Sequence, residues 1–268
     1  FRVILKQSLP FALLVLLMSF YYRLDGVMIE RMLPDGRMQA GIYAKSYKLF
    51  EGFNMFGYLF AGLLLPIFSR MIKLNESISK LLKTAFNLVF IPSVAAAVVC
   101  VLYSQEIMAI LFEDQILEAA EIFPVLMISF VGIALTYIYG TLLTANGSLK
   151  QLNIVSLIGV AVNFGTNWVV IPKYGAYGAA VATLATQAFV IFAQIILTKK
   201  IFKLQYEFSF ILKHSAIVIL GVGTAIFSKN YVSDFRIHGI LILGFFAVSS
   251  ILFGLIKKED VLKLLKRG

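Results

Sequence analysis

Five charged side chains interrupt the first two apolar segments of this 268-residue chain. In chain order they are Arg23, Asp25, Lys45, Lys48 and Glu51. A charge at the centre of a membrane helix costs on the order of 2.5–3.5 kcal/mol, so charged residues persist there only when they pair or line a water-filled cavity. Because the bases outnumber the acids, simple pairing leaves one positive charge for an anionic ligand.

The spacing of these residues predicts which of them meet. Reflecting the two segments about Asp35 places Asp25 level with Lys45, and Arg23 near Lys48, in the outer half of the membrane. We therefore expect Asp25 to pair with Lys45, while Arg23 and Lys48 face a cavity. The alternative is a buried ion-pair network that only fixes helix packing, with some side chains reaching the outer interface.

Amide side chains supply further polar groups within the apolar segments. Asn54 follows the charged group, and Asn163 and Asn167 are four residues apart, on one face of a helix. Gln187 and Gln194 share a face in the next segment. Such amides bind a polar substrate or join helices by hydrogen bonds, and the sequence leaves both interpretations open.

The side-chain groups that enzymes and metal sites require do not occur together. The chain has one cysteine, Cys100, and two histidines, His214 and His238, which have no partners at ligand spacing. It has no serine–histidine pair and no glycine-rich phosphate loop followed by Lys-Ser or Lys-Thr. The sequence therefore predicts a protein that is not an enzyme and that needs no metal and no cofactor.

Composition identifies lipid as the solvent of most of the chain. Hydrophobic residues make up 60% of it and charged residues 14%, against about a quarter charged in soluble domains. The mean hydropathy is +0.90, so the apolar surface cannot be hidden in one globule. The net charge of +10 comes from short basic clusters between apolar segments, which is typical of cytoplasmic loops and argues against nucleic acid as a partner.

These segments predict an all-α integral membrane protein of about eight transmembrane helices, since about 20 helical residues cross the hydrocarbon core. Turn sequences such as Leu33-Pro34-Asp35-Gly36 separate them, and Pro172-Lys173-Tyr174-Gly175 closes the fifth span. A short interfacial helix is expected at 107–112, and the tail from 257 lies along the membrane or in solvent. The predicted spans are 8–32, 40–71, 81–103, 121–145, 152–172, 177–199, 209–228 and 237–256.

The loop charges predict the orientation of the chain in the membrane. Lysine and arginine concentrate on the side of the two termini, whereas the loop over residues 106–121 carries acids and no base. By the positive-inside rule both termini are cytoplasmic. An even number of spans requires the same arrangement.

Two stretches carry a family resemblance. YYRLDGVMIERMLPDGRMQAGIYAKSYKLFEG, followed by LLLPIFSRM, resembles the seventh and eighth helices of oligosaccharide flippases, and NFGTNWVVIPKYGAYGAAVATLATQ resembles their eleventh-to-twelfth helix hairpin. The chain thus resembles the Wzx-type flippases of the multidrug/oligosaccharidyl-lipid/polysaccharide exporter superfamily, here through their C-terminal portion. The first stretch is the more specific of the two.

The resemblance implies two six-helix lobes around a central cavity, and transport of undecaprenyl-pyrophosphate-linked oligosaccharide to the periplasmic leaflet of the bacterial inner membrane. Residues 1–200 are then the C-terminal lobe and 201–268 two appended helices with a basic tail, the N-terminal lobe being expected but absent. The implied partners are a lipid-linked anionic glycan and the bilayer. The substrate-binding residues that the resemblance implies are Arg23, Lys45 and Lys48, with Asp25 and Glu51 as neighbours. Glycan hydroxyls would also bind amides, here Asn54, Asn163 and Asn167, and an aromatic rim of Tyr21, Tyr22, Tyr43 and Tyr47; the alternative for each tyrosine singly is a belt at the membrane interface.

Three other functions are weighed against this one. A cation-coupled multidrug exporter of the same superfamily would favour an acidic cavity, whereas the surplus here is basic. A membrane-bound polymerase or ligase acting on the same lipid carrier would need a large periplasmic loop, which the sequence does not contain. A non-transporting scaffold in a polysaccharide assembly complex stays open.

Overall fold

A computed structural model describes residues 2–205 and 207–256, with side chains from residue 8 onward except those of residues 21 and 22. Every regular element in this part is helical, because a backbone in hydrocarbon must satisfy its own N–H and C=O groups. The elements are α1 (Arg2–Met32), α2 (Gly36–Lys73), α3 (Ser79–Leu102), α4 (Ser104–Leu111), α5 (Ile116–Ala145), α6 (Leu149–Phe202), α7 (Phe208–Ser228) and α8 (Phe235–Leu252).

The longest element, α6, consists of two antiparallel arms. Its 54 residues would reach about 81 Å as a straight helix, far more than a membrane needs. Gly175 interrupts it with φ 57° and ψ −138°, a conformation that glycine adopts without steric cost. A Cβ built on Gly159 would lie 3.1 Å from Val190, so residues far apart in sequence touch. The arms 149–174 and 176–202 therefore form the predicted hairpin.

Counting the two arms separately gives eight candidate spans within the described residues. Six helices, α2, α3, α5, α6, α7 and α8, are each long and apolar enough to cross a membrane, and because α6 is broken at Gly175, its two arms count as two spans. The eighth is α1, whose pieces Ser8–Phe20 and Arg23–Met32 meet at a bend of about 40°. The predicted all-α membrane class is confirmed. Helix α4 is the expected short helix, although it begins at Ser104, and the tail from 257 lies outside the described residues.

The main core lies between α2, α5 and α6, with α1 and α3 on its flanks. Phe50, Phe68 and Phe123 are fully buried there. Helices α7 and α8 join this body through α3, in a separate apolar cluster that includes Ile217 and Phe246. The last two helices are thus attached to one side of a larger body, and the division at residue 200 stays a prediction.

Contacts between connecting segments define the two ends of the bundle. The acidic end holds the α1–α2 turn, the segment 103–115, the break in α6 and the α7–α8 turn; there the Ala176 N–H donates to Gln39 Oε1 at 3.3 Å. The basic end holds the other connections, where Lys83 Nζ donates to Glu207 Oε1 at 2.8 Å. The cytoplasmic location of the basic end stays a prediction.

Candidate functional site

One buried carboxylate lies where α1, α2 and both arms of α6 meet. Asp25 is 1% exposed, and each of its oxygens accepts two hydrogen bonds. Oδ2 accepts from Tyr43 Oη at 2.7 Å and from Thr183 Oγ1 at 2.5 Å. Oδ1 accepts from the Nδ2 atoms of Asn163 and Asn167, at 3.0 and 2.7 Å. These five residues are named the Asp25 cluster.

The α6 hairpin assembles most of this cluster. Asn163 and Asn167 stand one turn apart on the first arm, so both amides reach the same carboxylate oxygen. Asn167 also donates to Asn163 Oδ1 at 3.1 Å, while its own Oδ1 is buried without a partner. Thr183 reaches Asp25 from the second arm. All four donors are neutral, and no base among the described residues bonds to Asp25.

The predicted pair of Asp25 with Lys45 is wrong. Lys45 Nζ donates instead to Asp114 Oδ1 at 2.6 Å, to the Asp114 carbonyl at 3.0 Å and to Gln115 Oε1 at 3.1 Å. The reflected hairpin gave the depth of each residue but not its direction around the helix. Tyr43, two residues before Lys45 and about 200° away around α2, faces Asp25 in its place.

The Lys45 contacts fix the connection between α4 and α5 at the acidic end. By its hydrogen bond and its charge, Lys45 lowers the pKa of Asp114 below the ordinary value of 3.8. At the basic end Lys83 does the same to Glu207, whose pKa falls below 4.5. Because both carboxylates are exposed, these ion pairs contribute little to stability.

A polar pocket of about 360 Å³ lies between α1 and α2. Arg23 and Glu51 are exposed there, and within the described part of the chain neither forms an ion pair. Asn54 Oδ1 is buried beside them without a partner. The pocket therefore offers one base, one acid and one unpaired amide oxygen. Its other lining residues are Ser19, Tyr47, Met55, Tyr58 and Tyr137.

The predicted site residues are divided between these two places. The pocket holds Arg23, Glu51 and Asn54, and the Asp25 cluster holds three more. Lys45 lies in neither place, and Lys48 is exposed on α2 one turn before Glu51 without lining the pocket. The side chains of residues 21 and 22 lie outside the described part. The substrate-binding role of all eight residues stays a prediction.

Sequence reasoning missed two partners of Asp25. Tyr43 was expected on an aromatic rim, but it is 3% exposed and its hydroxyl is bound to the carboxylate. Thr183 was not singled out, although it stands in GAAVATLATQ, where small residues allow close helix contact. A buried acid without a basic partner requires neutral hydrogen-bond donors. A threonine hydroxyl within a stretch of small residues is the sequence feature that could have identified Thr183 as one of these donors.

Comparisons with known proteins agree with this architecture. The family model described as lipid II flippase MurJ matches residues 3–246, and no curated protein matches the chain. A structure of lipid II flippase MurJ in an inward closed conformation superimposes with a TM-score of 0.66 at 17% identity, over 87% of this chain and 51% of that one. This chain thus spans about half the length of that flippase.

Two transporters of the MOP superfamily share the fold more distantly. One, from Pyrococcus furiosus, is described by a binding pocket of reversed polarity that suggests a different function; its TM-score is 0.54 at 16% identity. The other is an outward-facing multidrug resistance transporter of the MATE family, with a TM-score of 0.53 at 16% identity. Each comparison covers 98% of this chain and 66% of the other. At these identities the likeness shows the fold alone.

Proposed function

The chain belongs to the lipid II flippase MurJ family, and we propose that it forms one lobe of a transporter that moves a pyrophosphate-linked glycolipid across the bacterial inner membrane. The family is one of transporters, so the chain belongs with transporters rather than with enzymes. The observation that carries the proposal is the pocket between α1 and α2, where Arg23 is exposed and forms no ion pair with any described residue.

The pocket side of α2 supplies one wall of the transport pathway. Arg23 on α1 and Glu51 on α2 are exposed in the pocket, and Lys48 is exposed one turn before Glu51; such exposure is costly for charges facing lipid. In alternating-access transporters the substrate site lies between two repeats that rock against each other. We propose that a second lobe covers this side, with both termini of the chain in the cytoplasm, and that the lobe alone does not flip its substrate.

A pyrophosphate linkage fits the charged groups on this wall. The Arg23 guanidinium can form two parallel charge-assisted hydrogen bonds to phosphate oxygens, and Lys48 adds a second positive charge nearby. Asn54 and the pocket tyrosines offer hydrogen bonds and ring faces to the sugars. Lipid II and the lipid-linked oligosaccharides of Wzx-type flippases are the two substrates to compare.

Substitution of Arg23 tests this proposal in the complete transporter. Arg23→Ala should abolish flipping of the accepted substrate in liposomes while membrane insertion stays normal, and Arg23→Lys should restore part of the rate because it keeps the charge without the second hydrogen bond. Arg37→Ala, which removes an exposed base at the acidic end, is the matched control. Normal flipping by Arg23→Ala would contradict the substrate role.

A second function, coupling of transport to a proton or a monovalent cation, is supported by the Asp25 cluster. A carboxylate buried in a membrane protein is costly as an anion unless something neutralises it, and its partners here are neutral. Asp25→Asn should therefore remove the dependence of transport on an ion gradient while binding of the glycolipid, which uses Arg23, persists. Glu30→Gln, an exposed acid on α1, is the control.

Unchanged gradient dependence in Asp25→Asn would contradict the coupling role. The same cluster would serve a cation-coupled multidrug exporter, which remains the alternative substrate class. Flipping of a pyrophosphate-linked glycolipid without export of organic cations would decide for the flippase.

A further inference from the structure

We propose that a file of bound water molecules runs from the Asp25 cluster to the basic end, along the contact between α5 and the second arm of α6. Among the described residues, eight side-chain polar atoms are buried without a hydrogen-bond partner. Five of them belong to four residues of α5 and the second arm of α6, and a sixth, Asn167 Oδ1, lies in the cluster itself. The four residues are Thr136, Gln187, Gln194 and Thr198.

The residues on α6 form one line. At 3.6 residues per turn, Thr183, Gln187, Gln194 and Thr198 fall within a stripe about 60° wide, and the stripe is about 22 Å long. Thr183 donates to Asp25 at one end of it. At the other end Thr198 is fully buried and is followed directly by exposed lysines. The line therefore joins the buried carboxylate to solvent at the basic end.

Helix α5 supplies a polar side chain at a level between the two glutamines of α6. A Cβ built on Gly132 would lie 3.5 Å from Gln187 Cβ, and one on Gly140 would lie 3.3 Å from Gln194 Oε1. The two helices thus run parallel with a constant offset. Thr136, halfway between these glycines, lies at a level halfway between the glutamines. Polar groups therefore recur along the whole length of the contact.

Water is the partner that these atoms require. An unsatisfied buried polar group costs about 1–3 kcal/mol, and buried waters typically make about three hydrogen bonds to such groups. Gln187 also lines a cavity of about 570 Å³ whose wall is almost entirely apolar. If Gln187 only joined the two helices, its amide would form hydrogen bonds to neighbouring protein groups. Neither its nitrogen nor its oxygen forms one.

The water file gives Asp25 a connection to solvent that is separate from the Arg23 pocket. A small ion or proton that neutralises the cluster could exchange with the basic end while the glycolipid pocket is closed. Hydration of the lobe does not depend on which lipid-linked substrate the transporter carries. Its presence or absence can therefore be measured independently of the flippase assignment.

Solid-state NMR of the complete protein in liposomes tests this hydration directly. With labelled threonine, magnetisation should pass from water to Thr136 and Thr198 clearly faster than to Thr186. Thr186 is the matched control because it is fully buried on the same arm, off the stripe, and its hydroxyl donates to the Ala182 carbonyl at 2.8 Å. Transfer to Thr136 and Thr198 as slow as that to Thr186 would overturn the proposal.

One substitution tests whether water enters the file from the basic end. Gln194→Leu removes the amide between Thr136 and the basic end, so the water signal of Thr136 should be lost while that of Thr198 persists. A Thr136 signal that survives in this variant would contradict the route from the basic end. If Gln194→Leu does not insert, the measurement on the unmodified protein already decides whether the file exists.

Discussion

At the scale of single residues, Asp25 on α1 accepts hydrogen bonds from donors on α2 and on both arms of α6. Asp25→Ala would remove the acceptor that four buried donors share, although Asn167 keeps a second acceptor in Asn163 Oδ1. Each group left unsatisfied costs about 1–3 kcal/mol, and such costs are not additive. We expect a loss of several kcal/mol in the free energy of unfolding, measured by thermal or denaturant unfolding in detergent. Asp25→Asn should lose less, because its amide oxygen still accepts.

Glu51→Ala provides the control for this measurement. Glu51 is an exposed carboxylate on α2 without an ion pair in the described part of the chain, so its removal should leave the unfolding transition in place. Equal stability of Asp25→Ala and Glu51→Ala would mean that the four donors find other acceptors.

The Lys45–Asp114 pair predicts a pH dependence at the acidic end. Because Lys45 lowers the pKa of Asp114 in the folded protein below 3.8, the folded state binds fewer protons than the unfolded state as acid is added. The contribution of the pair to the stability of the fold is therefore complete above the pKa of Asp114 in the unfolded chain, and it is lost as the pH falls through the lower pKa of the folded protein. Asp114→Asn should lower stability slightly at neutral pH, and the difference should vanish in strong acid. Glu113→Gln should show no such change.

The first hairpin shows what residue spacing can and cannot predict. Spacing along a helix gives relative position along its axis, and Asp25 does lie level with Tyr43, two residues from the expected Lys45; the depth of Arg23, Asp25 and Glu51 in the membrane stays a prediction. Spacing does not give the direction of a side chain, because that depends on which face of each helix packs against the others. The pairing of Asp25 with donors from α6 follows from a tertiary contact that no local pattern encodes.

At the scale of elements, the hairpin in α6 depends on Gly175. Its φ of 57° with ψ −138° lies in a region that costs other residues about 1–3 kcal/mol. Gly175→Ala should lower the unfolding free energy by that amount, measured in detergent. Gly165→Ala is the matched control, since Gly165 is exposed on the first arm and a Cβ there meets nothing within 4 Å. Equal effects of the two substitutions would contradict the strained turn.

Elements were easier to predict from the sequence than their contacts. Apolar length and the turn at Pro172-Lys173-Tyr174-Gly175 predicted both arms of α6, because a helix in lipid must end where its apolar run ends. The start of α4 was misplaced by three residues, since amphipathic helices at an interface lack such a boundary. The attachment of α7 and α8 to α3 was not predictable, because each of these helices is apolar on all sides.

At the scale of the whole molecule, the orientation in the membrane is the main prediction. If the basic end is cytoplasmic, a cysteine introduced as Asp114→Cys should react with an impermeant reagent added outside, and one introduced as Lys80→Cys should not. Both positions are exposed, and the native Cys100 is buried, so background labelling should be low. Equal reaction of both positions from outside would overturn the topology.

Each oxygen of Asp25 accepts two hydrogen bonds, and this arrangement has an evolutionary consequence. Four donors, on α2 and on the two arms of α6, share one carboxylate, so a change at any one of these positions alters the requirement at the others. Among relatives, a lineage that replaces the acid should also change Asn163, Asn167 or Thr183, whereas the residues of the Arg23 pocket should vary separately. Correlated substitution at the positions of the Asp25 cluster, which are far apart in sequence, would then follow from their shared hydrogen bonds to one carboxyl group.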